Sequence, residues 1–200
     1  MIKSSFLETI KSLDGKIYNI DYHQKRYESV LSSLGIFTYK KLSDYLHPPQ
    51  NGLYRCRLTY STDAIDVTYH PYKKKEVRSL KIVYDDTIEY AKKSTQRDAL
   101  DALYELKEDC DDVLIVKNGL ITDTSIANTA FFKDGVWYTP SAPLLCGTTR
   151  QRLLDSGFLT LKDIRVEELQ SYSKIALLNA MIDFDIITSK CLSVTNDIIQ

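Results

Sequence analysis

The sequence predicts an α+β fold in two lobes, and three observations carry that expectation. First, short segments of alternating polarity meet at Asp14-Gly15, Asn118-Gly119 and Asp134-Gly135, the strongest local signals for β-hairpins. Second, segments with helical spacing are inserted between these strands instead of alternating with them regularly. Third, residues 69–79 hold Pro71 and three consecutive lysines with no apolar periodicity, which reads as a surface linker. The boundary falls there, giving an N-terminal α/β lobe over 1–74 and a larger, β-rich C-terminal lobe over 75–200.

The elements follow in order. Residues 6–13 and 16–20 form the first hairpin. Tyr22, Tyr27, Val30, Leu31 and Leu34 then recur at helical spacing up to Gly35, a residue suited to a left-handed helix end. A short helical stretch over 41–46 precedes the breaker Pro48-Pro49-Gln50-Asn51-Gly52, and a strand pair over 53–60 and 65–69 closes the lobe. Beyond the linker come a strand at 80–84, a helix near 95–106, a strand at 113–117 and a hairpin over 129–133 and 136–139. A helix at 149–154, a short helix near 166–169 and strands at 174–178 and 186–194 complete the chain. The strands are expected to pair as antiparallel hairpins.

Composition narrows the function. The 200 residues are 44% hydrophobic and 26% charged with a formal charge of −1, which argues against a nucleic-acid wrapper, since such surfaces run strongly basic. No apolar run approaches the roughly 20 residues of a membrane span, and no signal-peptide core follows Met1, so a cytoplasmic protein without membrane contact is expected. Cys56, Cys110, Cys146 and Cys191 lie far apart, as do His23, His47 and His70, so neither disulfides nor a metal site is expected.

Three segments have compositions suited to chemistry. In Ala91-Lys92-Lys93-Ser94-Thr95-Gln96-Arg97, a lysine between a strand and a helix start is either an ordinary solvated pair member or an amine projecting into a cleft, where partial desolvation makes it nucleophilic. Residues 118–132 interrupt two apolar strands with small and polar residues, as a loop shaped around a ligand would, and equally as a plain turn would. Cys146-Gly147-Thr148-Thr149-Arg150 opens a helix with a glycine and hydroxyls, a pattern that serves phosphate binding or simple capping.

Taken together and in order, these residues resemble a known family. Lys93-Ser94-Thr95-Gln96-Arg97, Gly119-Leu120-Ile121-Thr122-Asp123-Thr124-Ser125 with Asn128-Thr129-Ala130-Phe131-Phe132, Thr139-Pro140 and Cys146-Gly147-Thr148-Thr149-Arg150 look like the signature of class IV (fold-type IV) pyridoxal-phosphate (PLP) enzymes. These include branched-chain and D-amino-acid aminotransferases and aminodeoxychorismate lyase. Leu7-Glu8-Thr9-Ile10-Lys11, Asp14-Gly15-Lys16 and His23-Gln24-Lys25-Arg26 fit the family's N-terminal hairpin and following helix. The resemblance implies a D-amino-acid-aminotransferase-like fold with PLP lying between the lobes, and a homodimer acting on an amino-acid-like substrate. It makes Lys93 the Schiff-base lysine that also moves the Cα proton. Arg26 with Thr148 and Thr149 would bind the cofactor phosphate, and Asn179 would lie near it. Asp123 stands where the family has a glutamate facing the pyridine nitrogen, one methylene short of it. Arg55 and Arg57 alternate on one strand and share a face, where they would hold substrate carboxylates or form an exposed charged face. Leu7 and the arginine pair favour aminodeoxychorismate lyase, which forms 4-aminobenzoate and pyruvate. A branched-chain or other class IV aminotransferase, or a non-catalytic relative, is the alternative.

Overall fold

A computed structural model describes residues 5–187 and the backbone of 191–194. Strand exceeds helix, 38% to 21%, in keeping with the α+β class. The chain divides into two compact units, one of Met1–Lys74 with Lys92–Gln96 and one of Lys75–Ala91 with Arg97–Gln200.

The first unit contains β1 (Phe6–Leu13), β2 (Lys16–Ile17), α1 (Ile20–Ser32), a 3-10 turn (Leu42–Tyr45), β3 (Leu53–Tyr60) and β4 (Ile65–Pro71). They form an antiparallel sheet in the order β2-β1-β3-β4. Asp14 and Gly15 take φ of 47° and 74°, the left-handed pair that lets so tight a turn follow the strand twist. Alternation sends Phe6, Ile10, Cys56, Leu58 and Tyr60 to one face, where they pack with Tyr27, Val30 and Leu31 of α1 and with Leu42. Glu8 belongs to that same buried face.

Residues 92–96 correct an expectation. Chain order assigned Lys93 to the C-terminal lobe, yet its segment runs along the start of β1. Leu7 N–H donates to the Lys93 carbonyl at 2.9 Å, Thr95 N–H donates to that of Ser5 at 3.0 Å, and Phe6 bridges Ser94. Backbone groups left unpaired at the edge of β1 are satisfied by this return of the chain.

The second unit contains β5 (Ser79–Tyr84), α2 (Asp98–Glu105), β6 (Asp112–Lys117), β7 (Leu120–Thr124), β8 (Asn128–Lys133), β9 (Val136–Pro140), α3 (Thr148–Asp155), β10 (Leu159–Lys162), a 3-10 stretch (Val166–Ser171), β11 (Lys174–Asn179), β12 (Asp183–Ile187) and β13 (Cys191–Val194). The sheet order is β10-β9-β8-β7-β6-β5-β13, with β11 joined to β8 and β12 to β11. Antiparallel hairpins alone do not describe it, because β5 runs parallel to β6 and to β13, and β9 runs parallel to β10. The helices α2 and α3 fall within the β5–β6 and β9–β10 connections, and such crossovers are what parallel neighbours require. Val113 to Val116 are all fully buried, the near-continuous apolar run of a strand covered on both faces. One face packs Val113 and Ile115 with Leu100 and Leu103 of α2. Leu114 and Val116 pack with Ile121, Phe131, Ile164 and Ile175.

Two strands, β7 and β10, lie outside the elements expected from the sequence, and β7 has no apolar alternation to announce it. Thr122, Asp123 and Thr124 in β7 are polar yet buried. The Thr122 hydroxyl donates to the Ile115 carbonyl at 2.8 Å, so burial is compensated locally. The strand expected over 186–194 is two, β12 and β13, with 188–190 outside the described residues. Among the described residues no helix is long and apolar enough to cross a membrane, and no three His, Cys, Asp or Glu side chains are grouped to hold a metal.

Candidate active site

Most of the expected site residues fall in two clusters, one in each unit, with Asn179, Arg55 and Arg57 outside both. In the first, Glu8 on β1 faces α1. Its carboxylate is fully buried and accepts a hydrogen bond at 2.8 Å from Nε of Arg26, another from Nη2 of Arg26, and one at 2.6 Å from Nδ1 of His23. Helical spacing brings residues 23 and 26 to one face of α1, which explains why both reach the same carboxylate. Burial pushes the Glu8 carboxyl up, but the Arg26 charge and the two hydrogen-bonding side chains outweigh it and hold the pKa at about 2. Burial also lowers the His23 pKa. Glu8 opposes that shift, while the charges of Arg26 and Lys93 add to it. Lys93 itself is half-buried. The hydroxyl of Tyr60, on the same sheet face, is buried without a hydrogen-bond partner among the described residues.

These shifts predict an acid-sensitive first unit. A depressed His23 pKa contributes stability that is full above its unfolded value of 6.5 and is lost as pH falls below it, and Glu8 acts likewise from 4.5 down to about 2. The melting temperature should therefore drop between pH 7 and 5. His23→Gln should flatten that limb, and an unchanged slope in calorimetry would remove His23 from the explanation.

The second cluster is built on β7, β8 and the start of α3. Asp123 and Asn128 are the one described pair in the β7–β8 ladder, so their side chains meet across the strands. Asn128 Nδ2 donates to Asp123 Oδ1 at 2.7 Å and to the Leu145 carbonyl at 2.8 Å, while Leu145 N–H donates to Asp123 Oδ2 at 2.9 Å. Burial raises the Asp123 pKa to about 6, against the lowering effects of these hydrogen bonds and of Arg150. Such a shift is common in groups that do chemistry.

Gly147 precedes α3, and a Cβ there would lie 1.9 Å from Asn128 Oδ1. Its φ of −71° suits any residue, so the glycine is required by this close approach and not by the backbone. Gly147→Ala should push Asn128 off Asp123 and cost about 1–3 kcal/mol, as overpacking does. Thermal melting checks this, and a change of under about 1 °C would mean the loop yields freely. No side chain caps α3, and Thr148 and Thr149 in its first turn are buried. The helix end is held by Arg150, also buried, whose Nη2 donates to the Pro140 carbonyl at 2.7 Å and whose Nε donates to the Thr139 hydroxyl at 3.3 Å.

The structure supplies these anchors, Glu8, Asn128 and Arg150, which sequence reasoning met only inside motifs. A charged residue at an apolar strand position was the available signal for Glu8. Asn179 lies at the end of β11, where its Oδ1 accepts from Met181 and Ile182 N–H at 2.9 and 3.1 Å, the geometry of a turn-forming asparagine. Its Nδ2 donates to the Ile126 carbonyl at 3.4 Å. Arg55 and Arg57 do share the sheet face opposite Cys56 and Leu58, exposed and half-buried respectively, with Lys11 and Thr9 as their cross-strand neighbours.

The pattern of residues 5–189 matches the family of class IV amino-transferases, and the chain belongs to that family. It is therefore an enzyme of a PLP-dependent group. An uncharacterized protein of Haemophilus influenzae is 38% identical over 180 residues, covering 87% of this chain and 96% of its own. The crystal structure of a putative 4-amino-4-deoxychorismate lyase from Haemophilus somnus is 35% identical, with a TM-score of 0.83 over 90% of this chain and 98% of that one. A hypothetical aminotransferase from Mycobacterium tuberculosis, in a PLP-bound form, shares the fold with a TM-score of 0.80 over 94% of this chain and 81% of its own, at 16% identity.

Proposed function

We propose that the protein is a PLP enzyme acting through Lys93, and that it is an aminodeoxychorismate lyase converting 4-amino-4-deoxychorismate to 4-aminobenzoate and pyruvate. The observation that carries this reading is the half-buried Lys93 anchored on β1 beside the Glu8–His23–Arg26 cluster. The residue chemistry fits the cofactor: an amine for its aldehyde, an arginine and an uncapped helix start with Thr148 and Thr149 for its phosphate, and a buried carboxylate, Asp123, for its ring nitrogen. The 35% identity to the Haemophilus somnus protein supports the lyase over an aminotransferase.

When bound, PLP supplies an electron sink that makes the substrate Cα–H acidic. Lys93 Nζ would hold the cofactor and would take the proton from the substrate Cα. Thr148, Thr149 and Arg26 would hold the phosphate with Asn179 nearby, and Asp123 would keep a proton at the ring nitrogen. Arg55 and Arg57 bind the substrate carboxylates. Family resemblance adds a homodimer, testable by light scattering.

Borohydride reduction of the PLP-loaded protein should leave a pyridoxyl group on the peptide containing Lys93. Label on another lysine would overturn the assignment. Incubation with 4-amino-4-deoxychorismate should release 4-aminobenzoate and pyruvate in equal amounts. Exchange of an amino group with a keto acid, without that release, would make the protein an aminotransferase instead.

A further inference from the structure

We infer that Glu8 is a positioning residue for phosphate recognition, holding Arg26 and His23 as one pre-oriented unit so that the guanidinium is fixed before any anion arrives. The inference rests on the reading of Arg26 as the phosphate contact and goes beyond it, because it assigns the work of orientation to a residue that touches neither cofactor nor substrate.

The placement of Glu8 is the first argument. Phe6 and Ile10 flank it on the buried face of β1, and Leu58 pairs with it on β3, so an apolar side chain would suit the position. A carboxylate buried there is costly unless its charge and lone pairs are met. They are met, among the described residues, by Arg26 and His23, with both oxygens engaged. The pairing is two-pronged, through Nε and Nη2, which fixes the plane of the guanidinium and not merely its distance. Arg26 nonetheless retains 13% exposure, against 0% for Glu8, so the cation is gripped from the buried side and still meets the surface.

His23 completes the arrangement. It is 1% exposed and donates from Nδ1 to Oε2 of Glu8, which fixes the ring against the same carboxylate and gives that oxygen a second hydrogen bond beside the one from Arg26. An unrestrained arginine would lose rotamer freedom each time it bound an anion, and prior fixation removes that cost from the binding step.

The test compares PLP with pyridoxal, which lacks the phosphate, by equilibrium titration of cofactor-stripped protein. In the unaltered protein PLP should bind far more tightly than pyridoxal. Glu8→Gln should weaken PLP at least tenfold and pyridoxal less than twofold, so that the preference ratio collapses. A merely structural role would weaken both alike. Because Glu8 acts through Arg26, adding Glu8→Gln to Arg26→Lys should change the ratio less than twofold further. If Glu8→Gln fails to fold, Glu8→Asp, which keeps the charge but shortens the reach, enters the same cycle, and a fivefold fall in the ratio supports the inference. An unchanged ratio in the variants, or parallel losses for the two ligands, overturns the role of Glu8 alone. Equal affinity of the unaltered protein for both ligands overturns the reading of Arg26 itself.

Discussion

Replacing Lys93 with alanine should abolish turnover, by a factor above about a thousand, and reduce borohydride labelling to background. The size follows from two roles lost together, the covalent hold on the cofactor and the acid–base group for the Cα proton, the second of which is worth about 10²–10⁴ by itself. Lys93→Arg should be equally inactive, since a guanidinium stays protonated and cannot condense with an aldehyde, although it keeps the positive charge beside His23. A small primary amine added to Lys93→Ala should restore part of the proton-transfer rate, because it can deliver the missing base from solution. Activity within tenfold of the unaltered enzyme would remove Lys93 from the reaction.

Asp123→Asn should lower turnover about a hundredfold, the usual scale for losing one placed electrostatic group. An amide cannot keep a proton at the ring nitrogen, so the electrons from Cα are held less well. The substitution also affects the fold, since Asn128 Nδ2 and Leu145 N–H donate to different carboxylate oxygens and the amide nitrogen that replaces one of them cannot accept. Melting curves separate the two effects through their pH dependence. The Asp123 pKa is raised from 3.8 to about 6, so in the cofactor-free protein its contribution to stability is full below 3.8 and is lost as pH rises through about 6. The variant should lack that component. A variant with unchanged turnover and melting behaviour would show that Asp123 serves neither the ring nor the β7–β8 junction.

Where the sequence was legible, local chemistry was the reason. Asp14-Gly15 and Asp134-Gly135 encode their own left-handed turns, and the alternation of Ile10, Cys56 and Leu58 specifies a buried face whichever partner covers it. The ordered motifs around Lys93, Asp123 and Thr148 were legible for a similar reason, as each is a short run whose residue types chemistry constrains. By contrast β7 was hidden, because its polar side chains find partners only after the neighbouring strands are in place, as when Asn128 Nδ2 on β8 donates to Asp123 Oδ1 at 2.7 Å.

The sequence by itself determined the α+β class, the hairpins, the family and the lysine proposed to carry the chemistry. Tertiary structure alone decided that residues 92–96 return to the first unit, that parallel pairs join the second sheet, and that Glu8, Asn128 and Arg150 anchor the groups beside them. The physical reason is separation along the chain. Turns and alternation depend on neighbours a few residues away, whereas the backbone bond from Leu7 to Lys93 or the clamp of Leu145 on Asp123 joins residues that only the completed fold brings within hydrogen-bonding distance.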